Sequence, residues 1–333
     1  IADAQIRLGK VEQAITTLKS YEKTYPDRND ALPVLVRLAE LLRQTQNYQT
    51  ASAYFEDVAS SEDAPTQLRF RAAISRGWCL RDAGEGENAV QAFSRAAKLG
   101  DTDGQQAYAF FLAGETAFAL GNYTNAALYY RTVADNYADT EYAEQARFRQ
   151  GLSRAKATLH SSAATILKQF LEEFPDSALT PQARLQRGIA LKEAEDYQAA
   201  VAELKAYAEA YPDSADTPRA LLEGYRAALS AGDVAQSVRF LSRIVENYEE
   251  SDLYAQALYQ RAYVHFFEAN YEAAVADSLA FLDKFPRLPL AAHILMWLGD
   301  YFADNGDLAQ SREYFLRIVN EHPDSSWAPT ALY

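Results

Sequence analysis

Residues 174–212 read FPDSALTPQARLQRGIALKEAEDYQAAVAELKAYAEAYP, and the reading of this stretch decides the fold. A Phe-Pro-Asp-Ser turn leads into a helix that starts at Pro181 and is predicted to run to about Glu195. Asp196-Tyr197 closes a short turn, a second helix runs to Tyr211, and Tyr-Pro-Asp-Ser begins the pattern again. The small residue three places after the turn tyrosine, here Ala200, marks the register. In that register the mark falls at Ala14, Ala51, Ala89, Ala126, Ala163, Ala200, Ser237, Ala274 and Ser311. Successive marks are 37 residues apart, except for 38 between Ala51 and Ala89. A fixed period of this kind is the signature of stacked helical repeats.

The expectation is an all-α solenoid of helix-turn-helix repeats occupying the whole of 1–333. Eight complete pairs carry the marks Ala51 to Ser311, with partial units at about 1–28 and 324–333. The chain begins inside a helix, at Ile1-Ala2-Asp3, and ends as Ser326-Trp327-Ala328-Pro329 opens a further copy, the pattern expected of a piece of a longer protein. At 333 residues it exceeds one ordinary globular core. A solenoid escapes that limit because each repeat packs only on its neighbours.

Local chemistry supports each element. Thr180-Pro181 and Thr217-Pro218 read as a capping hydroxyl ahead of a first-turn proline. Gly, Asn or Asp before each second helix suits the left-handed conformation that ends the first. The turns fall at Gly9-Lys10-Val11, Asn47-Tyr48, Gly84-Glu85-Gly86, Gly121-Asn122-Tyr123, Asp196-Tyr197, Gly232-Asp233-Val234, Asn270-Tyr271 and Gly306-Asp307-Leu308. The fifth repeat, Thr158-Leu159-His160, has neither Gly nor Tyr. Gly77, Gly114, Gly151, Gly188 and Gly299 sit inside first helices at one repeating position. A mid-helix glycine costs about 1 kcal/mol against alanine, so its repetition predicts a close approach by the next helix.

Net charge is −14, which excludes tracking along nucleic-acid phosphates and docking on an anionic membrane surface. No apolar run is long enough to span a bilayer. The single cysteine, Cys79, excludes an internal disulfide and reads as a small buried hydrophobe beside Trp78. His160, His265, His293 and His322 lie in four different repeats without ligand spacing, so no metal or cofactor is expected. There is no Gly-x-Ser-x-Gly elbow and no Gly-Lys-Ser/Thr phosphate loop. Gly84-Glu85-Gly86-Glu87 is acidic where a phosphate needs donors, and Asp101-Thr102-Asp103-Gly104 lacks the later ligands of a calcium loop. No catalytic residue is expected.

With its first-helix Gly, its Gly/Asn-x-Tyr or Asn-Tyr turn, its small mark and a terminal proline at Pro26, Pro175, Pro212, Pro286 and Pro323, the chain resembles the tetratricopeptide repeat. A bulky residue four after the mark matches as well: Phe55, Phe93, Tyr130, Leu167, Leu204, Leu241 and Phe315, with Ser278 the exception. The usual repeat has about 34 residues, so the connections here carry about three more. The resemblance implies a right-handed superhelix whose first helices line a concave groove for a protein or peptide ligand. The Phe/Tyr-Pro-Asp-Ser connection resembles repeats of two bacterial envelope proteins, the lipoprotein of the outer-membrane assembly machine and the periplasmic coordinator of the Tol–Pal system. That implies a periplasmic or outer-membrane-associated scaffold, with a cytoplasmic one as the alternative.

The groove positions implied by the family hold Arg71, Trp78 and Arg81 in the third repeat, Tyr108, Glu115 and Phe118 in the fourth, and Tyr263 and Phe266 in the eighth. Ile74, Phe111, Phe148, Leu185, Tyr259 and Met296 occupy a position that is apolar in every copy and read as packing between neighbouring first helices. Trp78, Tyr108, Phe118, Tyr263 and Phe266 stand where other copies are polar or small, the variation that a site grafted on a repeating scaffold would show. Arg71 and Arg81 are expected to flank the first cluster, with Glu115 inside it. The reading is a non-enzymatic scaffold. Two alternatives remain: the helical, non-catalytic region of a larger cell-wall lytic enzyme, or a self-assembling structural array.

Overall fold

The computed structural model describes residues 1–25 and 31–332. Among them are eighteen α-helices and no strand. Helices α1 (Ala2–Arg7) and α2 (Val11–Thr24) make the first, partial unit. Eight pairs follow: α3 (Ala31–Gln44) and α4 (Tyr48–Ser60), α5 (Thr66–Asp82) and α6 (Gly86–Ala97), α7 (Asp103–Ala119) and α8 (Tyr123–Asn136), α9 (Ala143–Lys156) and α10 (His160–Glu173), α11 (Thr180–Glu193) and α12 (Tyr197–Ala210), α13 (Thr217–Ser230) and α14 (Val234–Asn247), α15 (Tyr254–Phe267) and α16 (Tyr271–Lys284), α17 (Pro289–Asp304) and α18 (Leu308–Glu321). This is an all-α solenoid. After α18 the chain makes a turn and one short 3-10 turn at Thr330–Leu332. The expected close of the first unit at Pro26 lies outside the described residues.

The chain divides into two compact units, 1–183 and 184–333. In each, the core is a row of small clusters rather than one centre. In the first unit these centre on Leu38, Phe55 and Phe93, on Phe111 and Tyr130, and on Phe148, Leu167 and Phe170. In the second they centre on Leu185, Leu204 and Tyr207, on Leu221, Leu241 and Ile244, and on Phe281, Leu295 and Leu298. The nine register marks are all buried, and none of Ala14 to Ala274 exposes any surface.

The first-helix glycines have a specific partner. A Cβ on Gly77 would lie 2.4 Å from the ring of Phe93, and one on Gly114 2.8 Å from Tyr130. The same clash would occur between Gly151 and Leu167 at 2.7 Å, Gly188 and Leu204 at 2.6 Å, and Gly299 and Phe315 at 2.4 Å. The partner lies in the second helix of the same repeat, sixteen residues on, and is the bulky residue four after the mark. In the seventh repeat both members shift by one, to Gly224 and Phe240 at 2.7 Å. Each pair is thus a knob in a notch, and the notch must be glycine because a methyl group would overlap the knob.

Two turn assignments need correction. The left-handed residue is not the Asn or Asp but the residue before it: Gly84, Gly121, Gly232 and Gly306 have φ of 75–82°, and Gly9 has 71°. The first helix therefore stops earlier than the sequence suggests, at Glu193, because Glu195 takes φ 63°. The following Asn122, Asp196, Asp233 and Asp307 cap the second helix, each accepting from the backbone N–H three residues on at 2.9–3.4 Å. Thr180 and Thr217 are not caps. Each is already the first helical residue, so its hydroxyl cannot reach the free N–H groups ahead of it. It donates backwards instead, Thr217 to the Tyr211 carbonyl and Thr180 to the Phe174 carbonyl at 3.3 Å. The serine of Pro-Asp-Ser orders the same connection. Ser177 accepts from the Leu179 N–H at 2.9 Å, and Ser251 from the Leu253 N–H at 3.2 Å.

Cys79 has no exposed surface, and burial pushes its thiol up to about 11, so it is a packing residue rather than a reactive thiol.

Two stability predictions follow from this geometry. Thr158 is β-branched and holds φ 60°, a conformation that costs a non-glycine residue about 1–2 kcal/mol. Thr158→Gly should raise the urea midpoint by about 0.5–1 kcal/mol equivalent once the entropy lost by glycine is deducted; an unchanged or lower midpoint contradicts this. Gly77→Ala should lower it by about 1–2 kcal/mol, because overpacking of a fully buried Phe93 outweighs the helix propensity gained. A stabilised Gly77→Ala protein would disprove the knob-and-notch account.

Candidate binding site

The eighth repeat breaks the pairing. Where other repeats place glycine, α15 has Ala262, and where they place a bulky residue, α16 has Ser278. The extra methyl replaces only part of the missing knob. A cavity of about 140 Å³ remains between α15, α16 and α17. Ala262, Ser278 and Ile294 form its buried floor, with exposures of 6%, 1% and 3%. Tyr259, Phe266, His293 and Trp297 form its half-buried walls, and Tyr263 and Phe267 stand exposed at its mouth.

Such a void would ordinarily shrink as the helices close on it. Here an ion pair beside it fixes their separation. Arg261, adjacent to Ala262, donates to both carboxylate oxygens of Asp277, adjacent to Ser278, at 2.6 and 2.8 Å. A third bond, at 3.1 Å, runs from Arg261 to the Ser242 hydroxyl of α14. The carboxylate is largely buried. A two-bond guanidinium–carboxylate contact constrains both distance and angle, so α15 is pinned to α16 at the level where the knob is missing.

The cavity wall is aromatic and carries no formal charge. Its lining contains no Lys, Arg, Asp or Glu. Phe266 meets Trp297 edge to face at 5.1 Å, and Trp297 stacks on Tyr301 at 5.8 Å. The Tyr259 hydroxyl and His293 Nδ1 share a 2.7 Å hydrogen bond. Burial holds the His293 imidazole below its ordinary value, so it is neutral at neutral pH. Its outer face stacks on Trp327 at 5.2 Å. Two lining residues have buried polar atoms with no partner, the Ser278 hydroxyl oxygen and the Trp297 indole nitrogen. An unsatisfied buried group of this kind costs about 1–3 kcal/mol.

Of the residues singled out by sequence, Tyr263 and Phe266 meet in this cavity. Phe267, Ser278 and Trp297 were not among them. Phe267 is 65% exposed, and its counterparts in other repeats are Asp82, Ala119, Lys156, Glu193, Ser230 and Asp304. Trp297 likewise replaces Ser75, Leu112, Arg149, Gln186, Glu223 and Gln260. Comparison of equivalent positions beyond the family's groove columns would have found both.

The residues of the third and fourth repeats lie in the first unit and do not share one pocket. Trp78 packs edge-on against Phe93 at 5.2 Å, and the Arg81 guanidinium lies 4.1 Å above its ring. Tyr108 contacts Tyr142 at 5.6 Å, and Phe118 meets Tyr123 at 5.1 Å. Arg71 is exposed. Glu115 accepts from the Tyr130 hydroxyl at 2.5 Å and pairs with Arg149 at 3.1 Å, while Arg149 lies 5.6 Å over the Phe118 ring. Trp78, Tyr108 and Phe118 are all half-buried.

Among the described residues, no three His, Cys, Asp or Glu side chains converge to hold a metal ion, and no helix is long and apolar enough to cross a membrane.

Comparison with known proteins sets this architecture in a family. No curated protein matches the chain significantly in sequence. Among solved structures, the apo form of RapI is similar with a TM-score of 0.51 at 14% identity, over 97% of this chain and 95% of that one. The C-terminal part of a TPR repeat-containing protein from Cytophaga hutchinsonii gives a TM-score of 0.50 at 13% identity, over 90% of this chain and 99% of that one. At such identities the likeness concerns the fold alone. In sequence, two family models, each described as tetratricopeptide repeat, match residues 36–107 and 259–326, and residues 1–28, 108–140, 145–177 and 182–214. With matches spread over most of its length and helix pairs in the expected register, the chain belongs to the tetratricopeptide repeat family.

Proposed function

We propose that the protein is a non-enzymatic scaffold of the bacterial cell envelope, periplasmic or outer-membrane-associated, that captures a peptide segment of another protein. Tetratricopeptide repeat proteins generally act as protein-binding scaffolds, and their fold is typically non-catalytic. The observation that carries the reading is the eighth-repeat cavity, an aromatic recess with Tyr263 and Phe267 exposed beside it. Aromatic side chains offer large contact area for little lost conformational freedom and are enriched where binding energy concentrates. The ion pair of Arg261 and Asp277 holds the recess open before a partner arrives, which lowers the ordering cost of binding. The envelope setting rests on the resemblance of the 37-residue Phe/Tyr-Pro-Asp-Ser connections to envelope repeats.

The first unit supplies a second contact surface in this reading. Trp78, Tyr108 and Phe118 are its aromatic contacts, and Arg71 and Arg81 its polar edge. Glu115 contributes by holding Arg149 over Phe118.

Peptides selected from a displayed library on the full chain should lose about tenfold or more in affinity with Tyr263→Ala or Phe267→Ala, while the melting temperature stays within about 2 °C, as expected for exposed side chains. Undiminished binding by both variants would refute the eighth-repeat site. Trp78→Ala and Phe118→Ala should weaken capture and leave the melting temperature nearly unchanged. A loss of about 3–5 kcal/mol in both would mark those rings as core and remove the first-unit surface. Fractionation that recovers the native full-length protein only from the cytoplasm would overturn the envelope assignment.

A further inference from the structure

The eighth-repeat cavity is specific enough to name what enters it. Its volume, about 140 Å³, is that of one ring: an apolar protein cavity of roughly 150 Å³ takes up benzene. The walls of Tyr259, Phe266 and Trp297 offer ring faces and edges, which favour an aromatic guest. Ser278 and Trp297 then decide the polarity of that guest, since both keep a buried polar atom without a partner.

Four kinds of guest can be compared by what they do for those two atoms. A hydrocarbon ring would fill the space but leave both unsatisfied. A quaternary ammonium would suit the ring faces, yet it accepts no hydrogen bond, and the indole N–H can only donate. A carboxylate would accept from both but would be buried with no cation in the lining, at high cost. A phenol combines an apolar ring with one oxygen that accepts from the indole N–H and also donates to or accepts from the serine hydroxyl. Neutral His293, already bonded to Tyr259, adds no charge that would oppose it.

We infer that the cavity between α15, α16 and α17 takes up one tyrosine side chain of the captured peptide, its phenol oxygen pairing with the Ser278 hydroxyl and the Trp297 indole N–H. The peptide backbone then crosses the mouth beside Tyr263 and Phe267. The inference rests on the capture reading above and gives it a chemical specificity. It also explains why the eighth repeat gave up its knob: the missing side chain is supplied by the partner.

Small probes test the recess apart from any peptide. p-Cresol, toluene and tetramethylammonium are titrated into the full chain, with binding read by calorimetry and by the indole N–H resonance of Trp297, assigned with Trp297→Phe. p-Cresol should bind saturably, move that resonance and bind about tenfold tighter than toluene, a factor equal to about 1.4 kcal/mol. The double variant Ala262→Gly, Ser278→Leu restores the pairing of Gly188 with Leu204; it should fold and lose p-cresol binding. Toluene binding as tightly as p-cresol, binding by tetramethylammonium alone, or no binding by any probe would each overturn the inference. If library peptides bind through Tyr263 and Phe267 but carry no tyrosine and p-cresol does not bind, the inference fails and the capture reading stands. If p-cresol binds as expected and no peptide does, the phenol site stands and the capture reading fails. Should the double variant not fold, the contrast of p-cresol with toluene on the native chain decides.

Discussion

Helix spacing inside each repeat is set by one steric contact, a glycine in the first helix receiving a bulky residue from the second. With a hypothetical Cβ only 2.4–2.8 Å from its partner in six repeats, the glycine leaves little freedom in that distance. The small register mark one turn before the knob, fully buried from Ala14 to Ala274, lets another helix approach equally closely. Close packing at two levels gives each pair a fixed shape, and a fixed shape is what allows thirty-seven residues to repeat without accumulated error.

Against this constraint the eighth repeat gains its meaning. Replacing glycine with Ala262 and the knob with Ser278 removes more volume than it adds, and a cavity is the result. A void lined by aromatic rings and two unpaired polar atoms lowers stability. The neighbouring contact between Arg261 and Asp277 preserves it by holding the helices at the separation that a bulky residue would have set. The sixth repeat has an analogous contact, Arg187 with Glu203, beside an intact pair of Gly188 and Leu204. The ion pair is therefore compatible with normal helix spacing, and the void arises from the side chains alone.

The two aromatic regions differ in kind. In the first unit each ring has a separate neighbour, and Arg81 and Arg149 lie over Trp78 and Phe118. In the eighth repeat the rings surround a common space, and no cation covers them.

Much of the fold was legible in the sequence because the repeat averages away local ambiguity. Nine copies of one mark locate the helix pairs even where single turns depart from the pattern, as at Thr158. Steric facts expressed by residue type were also readable: a recurring mid-helix glycine signals a tight contact, and its recurrence locates that contact in every copy. Hydrogen-bond direction was not readable. Thr217 looks like a cap, but a one-residue shift of the helix start makes its hydroxyl a donor to Tyr211. Tyr263 and Phe266 could be singled out as aromatic rings in variable positions, and Ser278 as an exception to the bulky column. That the three share one space with Trp297, thirty-one residues beyond Phe266, follows only from the packing of α17 against α16. A cavity is a difference between the volumes of side chains on separate helices, so it exists only once those helices are packed.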